Sequence, residues 1–369
     1  MVPELVGKLT ALGHEVAVEP GAGAGALYAD ELYAEAGAEV SPQALEGAGL
    51  VVSVNPLDSA VVRRLPEGTA TLSFVHANLA PELVADFRDC GITAWAMELV
   101  PRISRAQSMD ALSSQALVAG YRSAIVAAGM LRRFFPLNMT AAGTVPPAEV
   151  LVLGAGVAGL QAIATAKRLG AVVKAYDVRA ASAEEIRSLG AQAVELDLET
   201  LEGSGGYARE MTADRAARQM ELLAPYVAAA DALITTAAVP GRTAPTLVTT
   251  AMVEQMKPGS VVVDLAAETG GNVEGSVPGE VVRIGQAQVW GGLNVPAQLP
   301  QPASKLYAQN IVNLVTLMTR DGEFAPDFED EIVLGACVTR GGAILHEPTR
   351  EALEGPAPTP EPGPEGAGA

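Results

Sequence analysis

Residues 150–162 read V-L-V-L-G-A-G-V-A-G-L-Q-A, a short apolar run, a glycine turn and the start of a helical pattern. Val150 to Leu153 suit a buried parallel strand, and Gly154, Gly156 and Gly159 follow in G-x-G-x-x-G spacing. The first glycine permits a tight turn, the second lets a pyrophosphate approach the backbone, and the third lets helix and strand pack closely. A pyrophosphate would then rest on the N-terminus of the helix expected from about Gly159 to Leu169, where N–H groups and the helix dipole favour an anion. The whole turn, Gly154, Ala155, Gly156, Val157, Ala158 and Gly159, is therefore a candidate cofactor cradle. A second strand, Val172 to Tyr176, leads into Asp177, 21 residues after Gly156. A carboxylate there accepts hydrogen bonds from a ribose diol and repels a 2′-phosphate, which favours NAD over NADP. Its neighbours Val178 and Arg179 complete this part of the site, and the Arg179 cation softens that repulsion.

The segment from Val150 to about Gly292 predicts further strands near 232–236, 260–265 and 287–290. This is the pattern of a doubly wound nucleotide-binding domain. Residues 3–100 also alternate short β-like runs (15–18, 50–54, 70–75, 93–96) with helical stretches, giving a second α/β unit. Helical segments at 115–135 and 304–319 flank the nucleotide domain. The expected architecture is thus α/β, two Rossmann-like domains with parallel sheets, the second inserted into the first and joined by long helices. The boundaries read as 1–114 with 305–346, 115–304, and a proline- and glycine-rich disordered tail at 347–369. The cofactor cleft is expected between the two domains.

Composition narrows the function. At 369 residues the chain is long enough for two domains. Its 43 acidic against 24 basic residues give a net charge of -19, which argues against nucleic acid and anionic membrane surfaces. The longest uncharged apolar run, 150–166, is accounted for by the strand, turn and helix, and other apolar runs are broken by charge, so no membrane insertion is expected. Two cysteines, Cys90 and Cys337, are too few and too distant for a disulfide framework, and the N-terminus lacks a secretory pattern, which together predict a cytoplasmic protein. No metal site is expected.

The stretch P-R-I-S-R-A-Q-S-M-D-A-L-S-S-Q-A at 101–116 is polar and hydroxyl-rich, and nothing in helix packing calls for it before an apolar helix. Its pattern R-x-x-x-x-Q-x-x-D-x-x-S, carried by Arg102, Gln107, Asp110 and Ser113, resembles the signature of the NAD(H)-binding component, domain I, of proton-translocating NAD(P) transhydrogenase. The resemblance extends over about 3–341 and includes the glycine turn, the Y-D-V-R segment at Asp177 and G-S-G-G-Y-A-R-E-M at 203–211, which resembles the family's mobile loop. It implies direct hydride transfer between NADH on this chain and NADP⁺ on a partner, with no general acid needed. By the same resemblance Arg102, Asp110 and Ser113 orient the nicotinamide side, Gln107 reaches toward the partner's NADP ribose, and Tyr207 closes over bound nucleotide on a loop hinged by Gly203, Gly205 and Gly206. Thr235, Ala237 and Gly241 in T-T-A-A-V-P-G, and the run 291–294, lie after predicted strands where the nicotinamide half would rest. Asp264 reads equally as a ligand-binding carboxylate or a cap.

The resemblance also implies a homodimer, peripheral on the inner face of the cell membrane, docked to separate NADP(H)-binding and membrane-spanning subunits. Two other readings stand beside it. Alanine dehydrogenases are similar in architecture and use a histidine as acid/base, for which His76 is the candidate. However, the chain has no Lys or Arg between Lys8 and Arg63, and Ser53 stands where that family carries a lysine, so a substrate carboxylate lacks its clamp. A nucleotide-binding module without turnover would keep the glycine turn and need no Gln107. Relatives of the transhydrogenase type open with a β-strand and a basic segment before the helix that here begins at Pro3. The expectation is therefore a misassigned start codon or a first domain lacking an edge or central strand.

Overall fold

The computed structural model describes residues 1–198, 213–238 and 242–355. The chain divides into two compact units, Met1–Ala111 together with the chain from Tyr307 onward, and Leu112–Leu306.

The first unit begins with helix Pro3–Ala11, whose proline occupies the first turn, where a missing N–H costs nothing. Its Leu5 and Leu9, one helical turn apart, are buried. Strands β1 (Ala17–Val18) and β2 (Glu39–Val40) form a separate parallel pair. Strands β3 (Leu50–Val52), β4 (Ala70–Ser73) and β5 (Thr93–Ala96) are parallel, as their crossover connections require. In the second unit β6 (Asn138–Thr140) and β7 (Gly143–Val145) make an antiparallel hairpin that no periodicity in the sequence announces.

The nucleotide-type sheet follows with β8 (Glu149–Leu153), β9 (Val172–Tyr176), β10 (Gln192–Ala193), β11 (Ala232–Thr235), β12 (Val261–Asp264), β13 (Val281–Ile284) and β14 (Ala287–Gly291). The order is β10-β9-β8-β11-β12-β14-β13, parallel except for β13. The strand order reverses direction at β8, the first strand of the series, which creates the crevice where open α/β sheets bind ligands. Val150 to Leu153 and Val261 to Val263 are at most 1% exposed, as strands covered by helices on both faces must be. The edge strand β13, absent from the strands expected by sequence, alternates exposed and half-buried residues and pairs antiparallel with β14. Back in the first unit, β15 (Thr319–Arg320) pairs with β16 (Glu323–Phe324), and β17 (Cys337–Arg340) and β18 (Ala343–Ile344) extend the first sheet to β18-β17-β5-β4-β3.

The long helices are shifted from their expected bounds. The first runs Ala111–Met130, beginning early enough to take Ser113 into its first turn, and the second runs Pro300–Leu317, starting at a proline. The tail also needs correcting. Residues 347–354, expected to be disordered, form helix Glu347–Glu354, held to the first unit by Thr349 Oγ1 donating to the Ala77 carbonyl (2.9 Å) and by the Arg88–Glu354 ion pair (3.0 Å). Pro348 sits at its permitted N-terminal position, so proline content there marks a helix start rather than a linker. Residues 356–369 lie outside the described residues.

Candidate functional site

Leu153 ends β8, and the chain turns at Gly154 with φ +99°, a left-handed conformation that strains any residue with a Cβ. A Cβ here would also lie 2.6 Å from Thr236 Oγ1, the hydroxyl that donates to the Gly154 carbonyl at 3.2 Å. Around Gly156 an added Cβ would meet nothing within 4 Å, so this face of the turn is open. At Gly159 a Cβ would sit 1.9 Å from the Gly154 carbonyl oxygen, an impossible approach. The three glycines therefore have three different physical jobs: turning, leaving room, and packing.

Helix Val157–Arg168 starts at once, with no side chain capping its N-terminus. Its first-turn N–H groups have no intrahelical partner and favour an anion. Gly120, on helix Ala111–Met130, packs so tightly on this turn that a Cβ would come within 2.1 Å of the Ala158 carbonyl oxygen. The open face at Gly156 and the uncapped helix end fit a dinucleotide pyrophosphate.

Asp177 follows β9, its side chain 8% exposed. Oδ2 accepts from Ala155 N (2.7 Å) in the glycine turn and from Arg179 Nη2 (3.1 Å); Oδ1 accepts from Arg179 N and Nε, both at 2.9 Å. The carboxylate thus reaches into the glycine turn and is gripped by a cation from its own loop. Beside it, Tyr176 is buried, which pushes its phenol up to about 12, and its hydroxyl donates to Gln219 Oε1 at 3.1 Å.

At the ends of β11 and β12 the arrangement is different. Asp264 is fully buried and accepts from Thr235 Oγ1 (3.0 Å), Ala266 N (3.0 Å), Asn272 N (3.1 Å) and Val273 N (3.2 Å). All these donors are neutral. Asn272, also fully buried, passes the connection on: Oδ1 accepts from Ala237 N (2.9 Å), and Nδ2 donates to the carbonyls of Ala237 (2.7 Å) and Pro245 (2.8 Å). Thr235 and Ala237, both expected to face the nucleotide, are thereby fixed by Asp264 and Asn272. Asn272 is not among the residues expected from sequence; the G-G-N run at 270–272, which places the asparagine eight residues past Asp264, is the available signal, since two glycines beside an asparagine mark a backbone turn. Gly270 and Gly271 both have positive φ, +107° and +81°.

In the first unit, residues Ser104–Met109 form a short 3₁₀ helix. Ala106 and Met109 are buried in the core, while Arg102 and Gln107 are exposed. Arg105 holds Asp330 through two bonds of 2.6 and 3.0 Å, and that guanidinium keeps the Asp330 carboxyl below the usual carboxylate range. Asn310 and Asn313, on helix Pro300–Leu317, both donate to the Ser108 carbonyl, at 2.9 and 2.8 Å. Asp110 follows the 3₁₀ turn, half-buried, immediately before helix Ala111–Met130. Arg102, Gln107 and Asp110 belong to the first unit; Ser113, the glycine turn, Asp177, Val178, Arg179, Thr235, Ala237 and Asp264 belong to the second. Tyr207, the glycines of its loop and Gly241 lie outside the described residues.

His76 is exposed with φ +54°, its backbone N–H donating to the Glu98 carboxylate. Its ring stacks on Phe74, which stacks in turn on Tyr307 with ring centroids 5.2 Å apart. The Tyr307 hydroxyl donates to the Ser53 carbonyl (2.8 Å), and Ser53 Oγ donates to the Asn55 carbonyl (2.7 Å). Ser53 thus serves its own turn.

Two family models cover the chain: Alanine dehydrogenase/PNT, N-terminal domain, over residues 1–119, and Alanine dehydrogenase/PNT, C-terminal domain, over 123–347. An NAD(P) transhydrogenase alpha subunit of Rhodospirillum rubrum is 48% identical over 357 residues, 93% of each chain. The crystal structure of transhydrogenase from Sinorhizobium meliloti superposes with a TM-score of 0.82 at 42% identity, again over 93% of each chain. The alanine dehydrogenase of Bacillus subtilis is more distant, 33% identical over 74% of this chain and 68% of its own. No helix among the described residues is long and apolar enough to cross a membrane. Carrying both domains in order, and more similar to transhydrogenase alpha subunits than to alanine dehydrogenases, this chain belongs to the alanine dehydrogenase/PNT family.

Proposed function

We propose that this chain is the NAD(H)-holding component of a proton-translocating transhydrogenase, passing hydride directly between its own NADH and NADP⁺ held by a partner subunit. The observation that carries the reading is the open face at Gly156, set at an uncapped helix N-terminus with the Asp177 carboxylate bonded into the same turn. When bound, the dihydronicotinamide supplies the hydride. The chain's task is then to hold and orient, which lowers a barrier by removing the entropy of alignment.

In this reading the N–H groups at the start of helix Val157–Arg168 bind the pyrophosphate, and Asp177 accepts from the adenosine ribose. Thr235 and Ala237 border the nicotinamide half. Arg102, Asp110 and Ser113 orient the carboxamide, and Gln107 contacts the NADP(H) side. Tyr207 closes over the nucleotide. The protein acts as a homodimer, peripheral on the cytoplasmic face of the membrane through NADP(H)-binding and membrane-spanning partners.

Turnover of alanine or pyruvate needs a cationic clamp for the carboxylate, and Ser53, at the position of the dehydrogenases' lysine, is engaged in its own turn. The test is one sample of purified chain: NADH binding followed by fluorescence, then NADH oxidation with pyruvate and ammonium. Binding without turnover, with activity appearing when an NADP(H)-binding transhydrogenase subunit is added, supports the proposal. Oxidation of NADH with pyruvate and ammonium alone would replace it with an amino-acid dehydrogenase in which His76 is the acid/base.

A further inference from the structure

A carboxylate offers about four acceptor positions, and in Asp177 all four are taken by its own chain. Two go to backbone N–H groups, of Ala155 and Arg179, which the loops fix in place. The other two go to the Arg179 guanidinium, Nε on Oδ1 and Nη2 on Oδ2. A ribose diol also brings two donors to such a carboxylate, one for each oxygen. We propose that Arg179 is a built-in competitor for the ribose-reading carboxylate, a specificity-setting residue that leaves Asp177 when the ribose of NAD(H) arrives. This rests on the reading of the site as an NAD(H) site.

Of the four donors only the guanidinium can withdraw without unravelling the turn. It stands on a flexible stem, and its side chain is 21% exposed, so water is at hand to receive it. The exchange is one for one: two N–H bonds are given up and two O–H bonds are gained. Its cost includes the charge assistance of the ion pair, which every bound nucleotide must offset. A released guanidinium has a second consequence. Beside a 2′-phosphate it finds a new anionic partner, so the residue that holds back NAD(H) also narrows the discrimination against NADP(H). Arg179 thus lowers both affinity and selectivity relative to a bare aspartate.

The test uses the full chain and measures Kd for NADH and NADPH by fluorescence titration, with Arg179→Met to keep the stem and remove the charge. The expected result is NADH bound roughly two- to fivefold more tightly, the size of a solvent-accessible ion pair, together with a larger ratio of NADPH to NADH Kd. Arg179→Lys, which keeps the charge but loses the fork, should fall between wild type and Met, and it carries the test if the Met variant does not fold. Weaker or unchanged NADH binding in these variants would overturn the competitor role and make Arg179 a nucleotide ligand or a purely structural residue. A wild-type chain that binds no NADH would instead remove the underlying reading, and the inference with it.

Discussion

Asp177 and Asp264 both stand at the C-terminal ends of parallel strands in one sheet, where the ligands of such folds bind, yet they are held in opposite ways. Asp264 has no exposed surface and is surrounded by neutral donors from its own loops, three of them backbone N–H groups. Asp177 keeps 8% of its side chain exposed and half of its partners are on a movable guanidinium. The first arrangement cannot exchange partners without breaking the fold, because each abandoned N–H would be buried and unpaired. The second can. A carboxylate's function follows from whether its partners can leave, so Asp177 is proposed to read the nucleotide and Asp264 to hold the loops that border it.

Removing the buried carboxylate should give the largest effect. Asp264→Ala strands several donors in the interior and is expected to destabilise the second unit by on the order of 3–5 kcal/mol. The two tryptophans allow the site of the loss to be located. Trp290 lies on β14, paired with β12, and Trp95 lies in the first unit. In a Trp95→Phe background the denaturation midpoint read from Trp290 should fall; a loss below about 1 kcal/mol would mean that these bonds are not what holds the loops.

Asn272→Ala comes next, at about 2–3 kcal/mol, since it frees both polar groups of Ala237 and the Pro245 carbonyl. It should also weaken NADH binding, because Ala237 is no longer fixed. Stability lost with unchanged NADH affinity would separate this anchor from the nucleotide site.

Asp177→Asn should show the opposite balance. A stability change of less than about 1 kcal/mol is expected, because the carboxylate keeps some solvent contact and Arg179 can turn to water. NADH binding should fall roughly tenfold, with relaxed discrimination against NADPH. Unchanged nucleotide selectivity would show that Asp177 does not read the ribose, and the contrast between the two aspartates would collapse.

The smallest effect is a control. Arg105 and Asp330 form another arginine–carboxylate pair, at the surface of the first unit, with Asp330 also capping helix Glu331–Gly335. The guanidinium lowers the Asp330 pKa in the folded state, so this contribution is present above the unfolded carboxyl's pKa and is lost as pH falls through the folded value. Arg105→Ala should flatten the acid limb of the stability profile slightly and leave NADH affinity alone. A change in NADH affinity would show that the 3₁₀ segment's anchoring matters to nucleotide binding on this chain.

The glycine turn is legible residue by residue because each glycine answers a local constraint: a positive φ, an open approach, a contact with its own helix. Asp177 is legible for a similar reason, since its distance from the turn is set by one strand–helix–strand unit. At 347–354 the sequence misleads, because proline marks both linkers and helix starts, and only the packing against Ala77 and Arg88 distinguishes them. The hairpin at 138–145 and strand β13 have no periodic signal, being short and largely exposed on one or both faces.

By itself the sequence determined the α/β class, the glycine turn, the acid at the end of the following strand and the family, because these rest on local stereochemistry and on fixed spacing along the chain. Only the tertiary structure decided which aspartate is consumed by the fold. Ala237 and Asn272 meet from loops 35 residues apart in sequence, and Ser108 meets Asn310 and Asn313 of helix Pro300–Leu317 across 202 and 205 residues. Hydrogen-bond saturation is a property of three-dimensional neighbourhoods, and no pattern along a single chain reports it.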